Sequence, residues 1–319
     1  MPERADGLSS VFVVVLNWNR WEATRGCVES LTALSYGRKK ILLVDNGSDE
    51  HPTCADALGL GADEFFQTGA NLGYAGGNNV GLRSAVAEAA DFAWVVNNDT
   101  IADADALTHL VAAATDNPSV GVFTTNVRGA DGVLATDVAF RGSSRDAPWD
   151  YFGEPHPVDC EGCHAGFHAA DCVRGPSLFF RVAALENVGL FDEGYFHYYE
   201  EVDLVERLRR AGWASGLACR AAVSHARGAT LAPETGQSIY YLFRNYLRFR
   251  KQLYGESLLK GLARHPLAVP RYLVAARHTL KGDLLPLRAH LLAFVDAARG
   301  REGRRALGTE FQRPISFDR

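Results

Sequence analysis

The densest chemistry in the sequence lies in Phe191–Trp213, where the aromatic run Tyr195-Phe196-His197-Tyr198-Tyr199 leads into Glu200-Glu201-Val202-Asp203. Two adjacent carboxyls behind an aromatic wall are the ingredients of a general base. Desolvation and mutual repulsion raise the pKa of one of them, and a carboxylate at a helix start is stabilised by the helix dipole. A plain helix start would use the same residues for the dipole alone. Further polar groups stand where apolar runs end: Asn17 after Val11–Leu16, Asp45 after Ile41–Val44, and Asn97-Asn98-Asp99 after Phe92–Val96. In an open α/β sheet, ligands bind outside the carboxyl ends of the strands, and oxygen ligands there suit Mg²⁺ or Mn²⁺ shared with a diphosphate. Asp45 or Asp99 alone could equally be a turn former or helix cap.

Two more motifs invite a function. Asn71–Gly81 (NLGYAGGNNVG) is a glycine-rich loop opening a helix, a shape that could cradle a phosphate. The first apolar run is not followed by Gly-x-Gly-x-x-Gly, and Gly-x-x-x-x-Gly-Lys-Ser/Thr is absent, so a dinucleotide dehydrogenase and a P-loop NTPase fit poorly. Cys160, Cys163, His164, His168 and Cys172 have ligand types and spacings that a structural Zn²⁺ could use; the bland alternative is a loop with free thiols.

The elements that must position these residues follow from periodicity. Val11–Leu16 and Ile41–Val44 are continuous apolar runs, the pattern of strands buried on both faces. Helices are expected at Thr24–Leu34, Thr53–Leu60, Gly77–Ala90, Asp103–Thr115 and Glu201–Ala211, the last closed by Gly212. Further strands fall near Glu64–Gln67, Phe92–Val96 and Val120–Thr125, with order returning at Cys172–Phe180 after a loose stretch from Asn126 to Asp171. Beyond Pro233 apolar residues recur at helical spacing in Ile239–Leu253, Leu267–Leu280 and Leu287–Ala298. Alternating strands and helices predict an α/β fold with a mostly parallel central sheet flanked by helices, followed by a C-terminal helical extension. The division is drawn as a domain over 9–235 and an extension over 236–319.

The 319 residues are 47% hydrophobic and 22% charged, a globular composition that excludes a disordered or collagen-like chain. No run reaches the 18 or so apolar residues of a spanning helix, and Val11–Leu16 is too short for a signal peptide. The expected place is the cytoplasm. The net charge of −5 hides an asymmetry: residues 1–243 carry 17 Lys+Arg against 32 Asp+Glu, and residues 244–319 carry 16 against 6. A basic tail on an acidic body suggests contact with something anionic: the inner face of a membrane, the acidic surface of the chain's own main domain, or that of a second copy in a homodimer; the bland alternative is a solvated helical tail with exposed arginines. No nucleic-acid partner is expected.

Taken in order, VVVLNWN (13–19), LLVDNGS (42–48), NLGYAGGNNVG (71–81), VVNNDT (95–100), RGPSLFFR (174–181), FDEGYFHYYEEVDLVERLRRAGW (191–213), His225 and YYLFRN (240–245) resemble the inverting glycosyltransferase family 2, in particular its rhamnosyltransferase-like members. The resemblance implies a GT-A-type nucleotide-sugar fold and transfer of a sugar from a nucleotide-diphosphate donor to an acceptor hydroxyl on a polysaccharide, glycolipid or secondary metabolite. It implies that Asn17, Asp45, Asn78 and Asn98 serve the donor nucleotide and that Asp99 is the metal-binding acid, with Asn97 where the family's first Asp stands. His225 matches a histidine that completes the metal and diphosphate site. Glu201 falls where the family usually has Asp as catalytic base; its extra methylene moves the carboxyl outward by ~1.5 Å, and Glu200 is the second choice. The rival classes are a non-catalytic relative kept as a binding or scaffold protein, which would not hydrolyse donor, and a nucleotidyltransferase, which would want more basic residues after the first strand than Arg20.

Overall fold

Val11–Asn17 forms the strand β1, and its alternate residues go to opposite faces. Val11, Val13 and Val15 join one buried apolar cluster, Phe12 and Val14 another. In the computed structural model, which describes residues 8–50, 53–129, 138–139, 166–225, 235–264, 282–313 and 315, β1 lies within a large sheet covered on both faces. The chain continues through α1 (Trp21–Thr32), β2 (Lys39–Asp45), α2 (Cys54–Gly59), β3 (Glu64–Gln67), α3 (Gly73–Ala87), β4 (Phe92–Asn97), β5 (Thr100–Ala102), α4 (Ala106–Asp116) and β6 (Val120–Arg128). Short strands β7 (Val138–Ala139), β8 (Phe167–Ala170) and β9 (Cys172–Val173) precede β10 (Ser177–Arg181), α5 (Val182–Val188), α6 (Glu200–Arg210) and β11 (Ala214–His225). Helices α7 (Gly236–Tyr254), α8 (Leu258–Arg264) and α9 (Leu285–Ala298) follow, then a 3₁₀ turn at Thr309–Gln312.

The strand order is β3-β2-β1-β4-β10-β6-β11-β5, with β8 pairing β11 as well. From β3 to β4 all pairings are parallel, as the alternation predicts. β10 then inserts antiparallel between β4 and β6, and β5 returns antiparallel on β11. That last pairing sets Thr100 opposite His225. The sequence pattern does not announce β11: Ala, Ser and Gly fill much of it, residues with little β preference.

One core cluster packs α1 and α4 against the sheet. The other gathers residues of α3, α5, α6, α7 and α9, so apolar side chains of the C-terminal helices are continuous with those under β1. Expected helix Leu267–Leu280 lies outside the described residues. Among the described residues no helix is long and apolar enough to cross a membrane.

Candidate active site

Parallel register places the ends of β1, β2 and β4 side by side, Asn17 opposite Asp45 and Leu16 opposite Asn97. The polar residues there form a hydrogen-bonded chain. Asn17 Nδ2 donates to Asp45 Oδ1 at 2.8 Å, Thr24 Oγ1 donates to Asn17 Oδ1 at 2.8 Å, and Asn98 Nδ2 donates to Thr24 Oγ1 at 2.9 Å. Ser48 Oγ donates to Asp45 Oδ1 at 2.6 Å. Asn17 and Asp45 are fully buried, so they shape the rim from beneath, while Trp18, next in the chain, is 49% exposed. Ser48 closes the motif LLVDNGS without having been given a role, and Thr24 lies outside every motif; a lone hydroxyl on a helix carries no sequence signal.

Asp99 follows β4, and the β5–β11 pairing brings His225 to it, Nε2 to Oδ1 at 2.9 Å. The carboxylate retains some exposure on the rim. The Asp99 carboxylate is an oxygen donor that suits Mg²⁺ or Mn²⁺, and the His225 imidazole beside it is a donor type more usual for transition metals. Among the described residues no cluster of three or more His, Cys, Asp or Glu is arranged to hold a metal. The expected zinc cluster falls mostly outside them: Cys160, Cys163 and His164 are not described, His168 lies on β8, and Cys172 is a buried free thiol on β9.

The glycine-rich segment is mostly helix: α3 begins at Gly73. Its glycines permit close packing. A Cβ on Gly81 would meet Val14 at 2.5 Å, one on Gly77 would meet Leu16 at 2.4 Å, and one on Gly73 would meet the carbonyl oxygen of Phe196 at 2.2 Å. Asn46, next to Asp45, ties this helix start to the rim, donating to Gly73 O and accepting from Leu72 N. Asn78 is buried in α3 and donates to Tyr74 O at 3.0 Å; among the described residues its Oδ1 has no partner.

Tyr74 N donates to Phe196 O at 2.7 Å, so the same helix start meets the loop before α6. There Phe196, Tyr198 and Tyr199 all have φ between 68° and 75°, a left-handed conformation costing about 1–3 kcal/mol at each non-glycine residue. The loop delivers Glu200 and Glu201 at the first turn of α6. Glu200 is buried; desolvation, then the Glu201 carboxylate, push its pKa well above the usual carboxyl range. Glu201 is only half-buried. Burial and the two nearby carboxylates likewise raise the Tyr74 phenol. Asp203 points elsewhere, bonded to Arg207 Nε at 2.7 Å and accepting from Tyr195 OH.

The carbonyls of the strained loop are held from α7. Arg244, fully buried, donates to Tyr195 O at 2.8 Å and Gly303 O at 2.7 Å, and Asn245 Nδ2 lies within 2.8–3.0 Å of Tyr195 O, His197 O and Tyr198 O. YYLFRN marks these residues in the sequence, but only the fold shows where they point.

The sequence model of Glycosyltransferase like family 2 matches residues 9–245, from β1 through this pair. The chain belongs to that family. A curated relative, N-acetylglucosaminyl-diphospho-decaprenol L-rhamnosyltransferase of Mycobacterium tuberculosis, is 27% identical over 282 residues, covering 82% of this chain and 85% of the relative. Among solved structures, S. aureus TarS 1-349 superposes with a TM-score of 0.57 at 15% identity, covering 90% of this chain and 80% of that one. GalNAc-T7 with UDP, GalNAc and Mn²⁺ reaches 0.57 at 13% identity, covering 77% and 48%. These likenesses show the fold, and it is the GT-A type.

Proposed function

We propose that this family 2 glycosyltransferase moves a sugar with inversion from a nucleotide-diphosphate donor to an acceptor hydroxyl, with Glu201 as general base. The observation that carries the reading is the pair of carboxyls at the start of α6: Glu200 buried, with its pKa raised by desolvation, and Glu201 half-exposed beside it. A base must also reach the acceptor hydroxyl, and the half-exposed Glu201 can do so where the buried Glu200 cannot. Glu201 takes the proton of the acceptor hydroxyl as its oxygen attacks the anomeric carbon. The bond to the diphosphate breaks on the opposite face, its electron pair leaves with the nucleotide, and a single displacement inverts the centre.

Asn17, Asp45, Asn78 and Asn98 form or underlie the donor nucleotide pocket. Asp99 and His225 would hold Mg²⁺ or Mn²⁺, which when bound neutralises charge developing on the leaving diphosphate. TarS has been crystallised with UDP-GlcNAc, which supports a nucleotide-sugar donor for this fold, and the mycobacterial relative's name supports rhamnosyl transfer to a lipid-diphosphate-linked sugar.

In this reading residues 9–235 are the catalytic unit, and 236–319 are a helical extension that meets the inner face of an anionic membrane from the cytoplasm. The outward face of α9 supports that contact. Leu284, just before the helix, with Leu287, Leu291 and Val295 are 37–57% exposed along one side, flanked by exposed Arg288 and Arg299. Four apolar side chains fall short of the ~20–30 residues a side of a stable dimer interface but suit shallow insertion beside basic residues.

The test is Glu201→Gln. Transfer should fall by roughly 10²–10⁴-fold while donor affinity stays within twofold, and wild-type product should carry the inverted anomeric configuration by NMR. Retained configuration, or an active Glu201→Gln, would overturn the reading.

A further inference from the structure

We infer that Arg244 and Asn245, adjacent on α7, are positioning residues for the general base, so that this first helix of the extension is a working part of the catalytic centre. The inference rests on the assignment of Glu201 above. The loop Gly194–Tyr199 contains three non-glycine residues in the left-handed region, an arrangement that persists only when its surroundings over-determine it. Its carbonyls are each held. Gly303 N donates to Gly194 O at 2.7 Å, Arg244 Nη2 and Asn245 Nδ2 to Tyr195 O, Tyr74 N to Phe196 O, and Asn245 Nδ2 again to His197 O and Tyr198 O at 2.8 Å each.

The amide orientation of Asn245 is set by its neighbour: Arg244 Nε donates to Asn245 Oδ1 at 2.9 Å, which leaves Nδ2 facing the loop. Two amide hydrogens are thus shared among three carbonyls. Arg244 is buried with its guanidinium over the rings of Tyr240 and Tyr241, 5.5 and 4.9 Å from their centroids. The pair therefore sits on a rigid base of its own. Tyr199 is the residue immediately before α6, so the dihedrals that Asn245 fixes set the direction in which Glu200 and Glu201 leave the loop.

Among the described residues the side-chain hydrogen-bond partners of this pair are the loop and Gly303 rather than Asp99 or His225, which separates their effect from donor binding. Removing the Asn245 donors lets the loop relax toward ordinary dihedrals and swings the base away from the acceptor, and a displacement of ~1 Å costs on the order of 10²-fold in rate.

The experiment compares Asn245→Ala, Asn245→Asp and Arg244→Lys with wild type for kcat, donor KM and the pH dependence of kcat. Asn245→Asp keeps the shape while replacing the donors with acceptors. The expected result is a kcat lower by about 10–100-fold with donor KM within twofold, and an altered acidic limb of the kcat profile. Proportional loss of kcat with folded protein and an unmoved pH profile would indicate a structural role only and overturn the proposal, as would full activity of Asn245→Asp. Should the variants not fold, hydrogen–deuterium exchange on the wild-type chain decides: amides of 194–199 as protected as those of α7 support the clamp, and exchange as fast as in an exposed loop overturns it. A wild-type chain that transfers no sugar at all would instead refute the assignment of the base.

Discussion

At the residue scale the two glutamates of α6 do different things despite their adjacency. Glu200 lies desolvated, with the Glu201 carboxylate and the Tyr74 phenol nearby, and its pKa is raised in the folded chain. The sign of the linkage follows. Below the unfolded carboxyl pKa Glu200 is protonated in both states and has no cost. As pH rises through the window between that value and the raised folded one, the unfolded chain ionises first and stability is lost. Glu200→Gln should therefore melt higher than wild type at pH 7–8, with the gain vanishing toward pH 4, as measured by thermal denaturation across pH. A gain constant with pH would show that Glu200 is not held neutral. Transfer by Glu200→Gln should survive better than by Glu201→Gln.

At the element scale the glycines of α3 are spacers that let a helix lie directly on β1 and on the loop before α6. Gly73 is the strongest case, with φ of 77° and a Cβ position 2.2 Å from a backbone carbonyl. Gly73→Ala should lower the melting temperature by several degrees, since a left-handed non-glycine residue alone costs about 1–3 kcal/mol and each kcal/mol is worth about 2–4 °C in larger domains. An unchanged melting temperature would mean the loop has room to give. The sequence reads well where one physical pattern dominates: the apolar run of β1, the capped start of α2 at Thr53 and the strand-end acids all stand where periodicity puts them. It reads poorly where tertiary pairing overrides local preference. β11, rich in Ala and Ser, is a strand because β6 and β8 flank it, and the antiparallel insertion of β10 leaves no local mark. Asn71–Gly81 carries two signals at once, because Gly77 and Gly81 are also needed for close packing on Leu16 and Val14. Arg244 and Asn245 could be picked from a motif, but their role depends on a loop some fifty residues earlier in the chain.

At the scale of the whole molecule the acidic residues 1–243 are followed by a basic stretch whose α9 turns leucines outward. Liposome flotation should recover the protein with anionic but not neutral vesicles, and Leu291→Ser with Val295→Ser should abolish recovery. Absence from both vesicle types at low salt would favour a second copy or a soluble acceptor. The proposed transfer depends on a donor bound at the rim, where β2 ends at Asp45, β4 leads into Asp99 and a distant strand supplies His225. The most direct test is the melting temperature of wild type and Asp99→Ala with uridine, thymidine and guanosine diphosphates, each with and without Mn²⁺. Saturation at 100 times Kd stabilises by about 2.7 kcal/mol. At least one diphosphate should raise the wild-type midpoint only when Mn²⁺ is present, and the rise should disappear in Asp99→Ala. No shift with any diphosphate, or an equal shift in Asp99→Ala, would contradict the account.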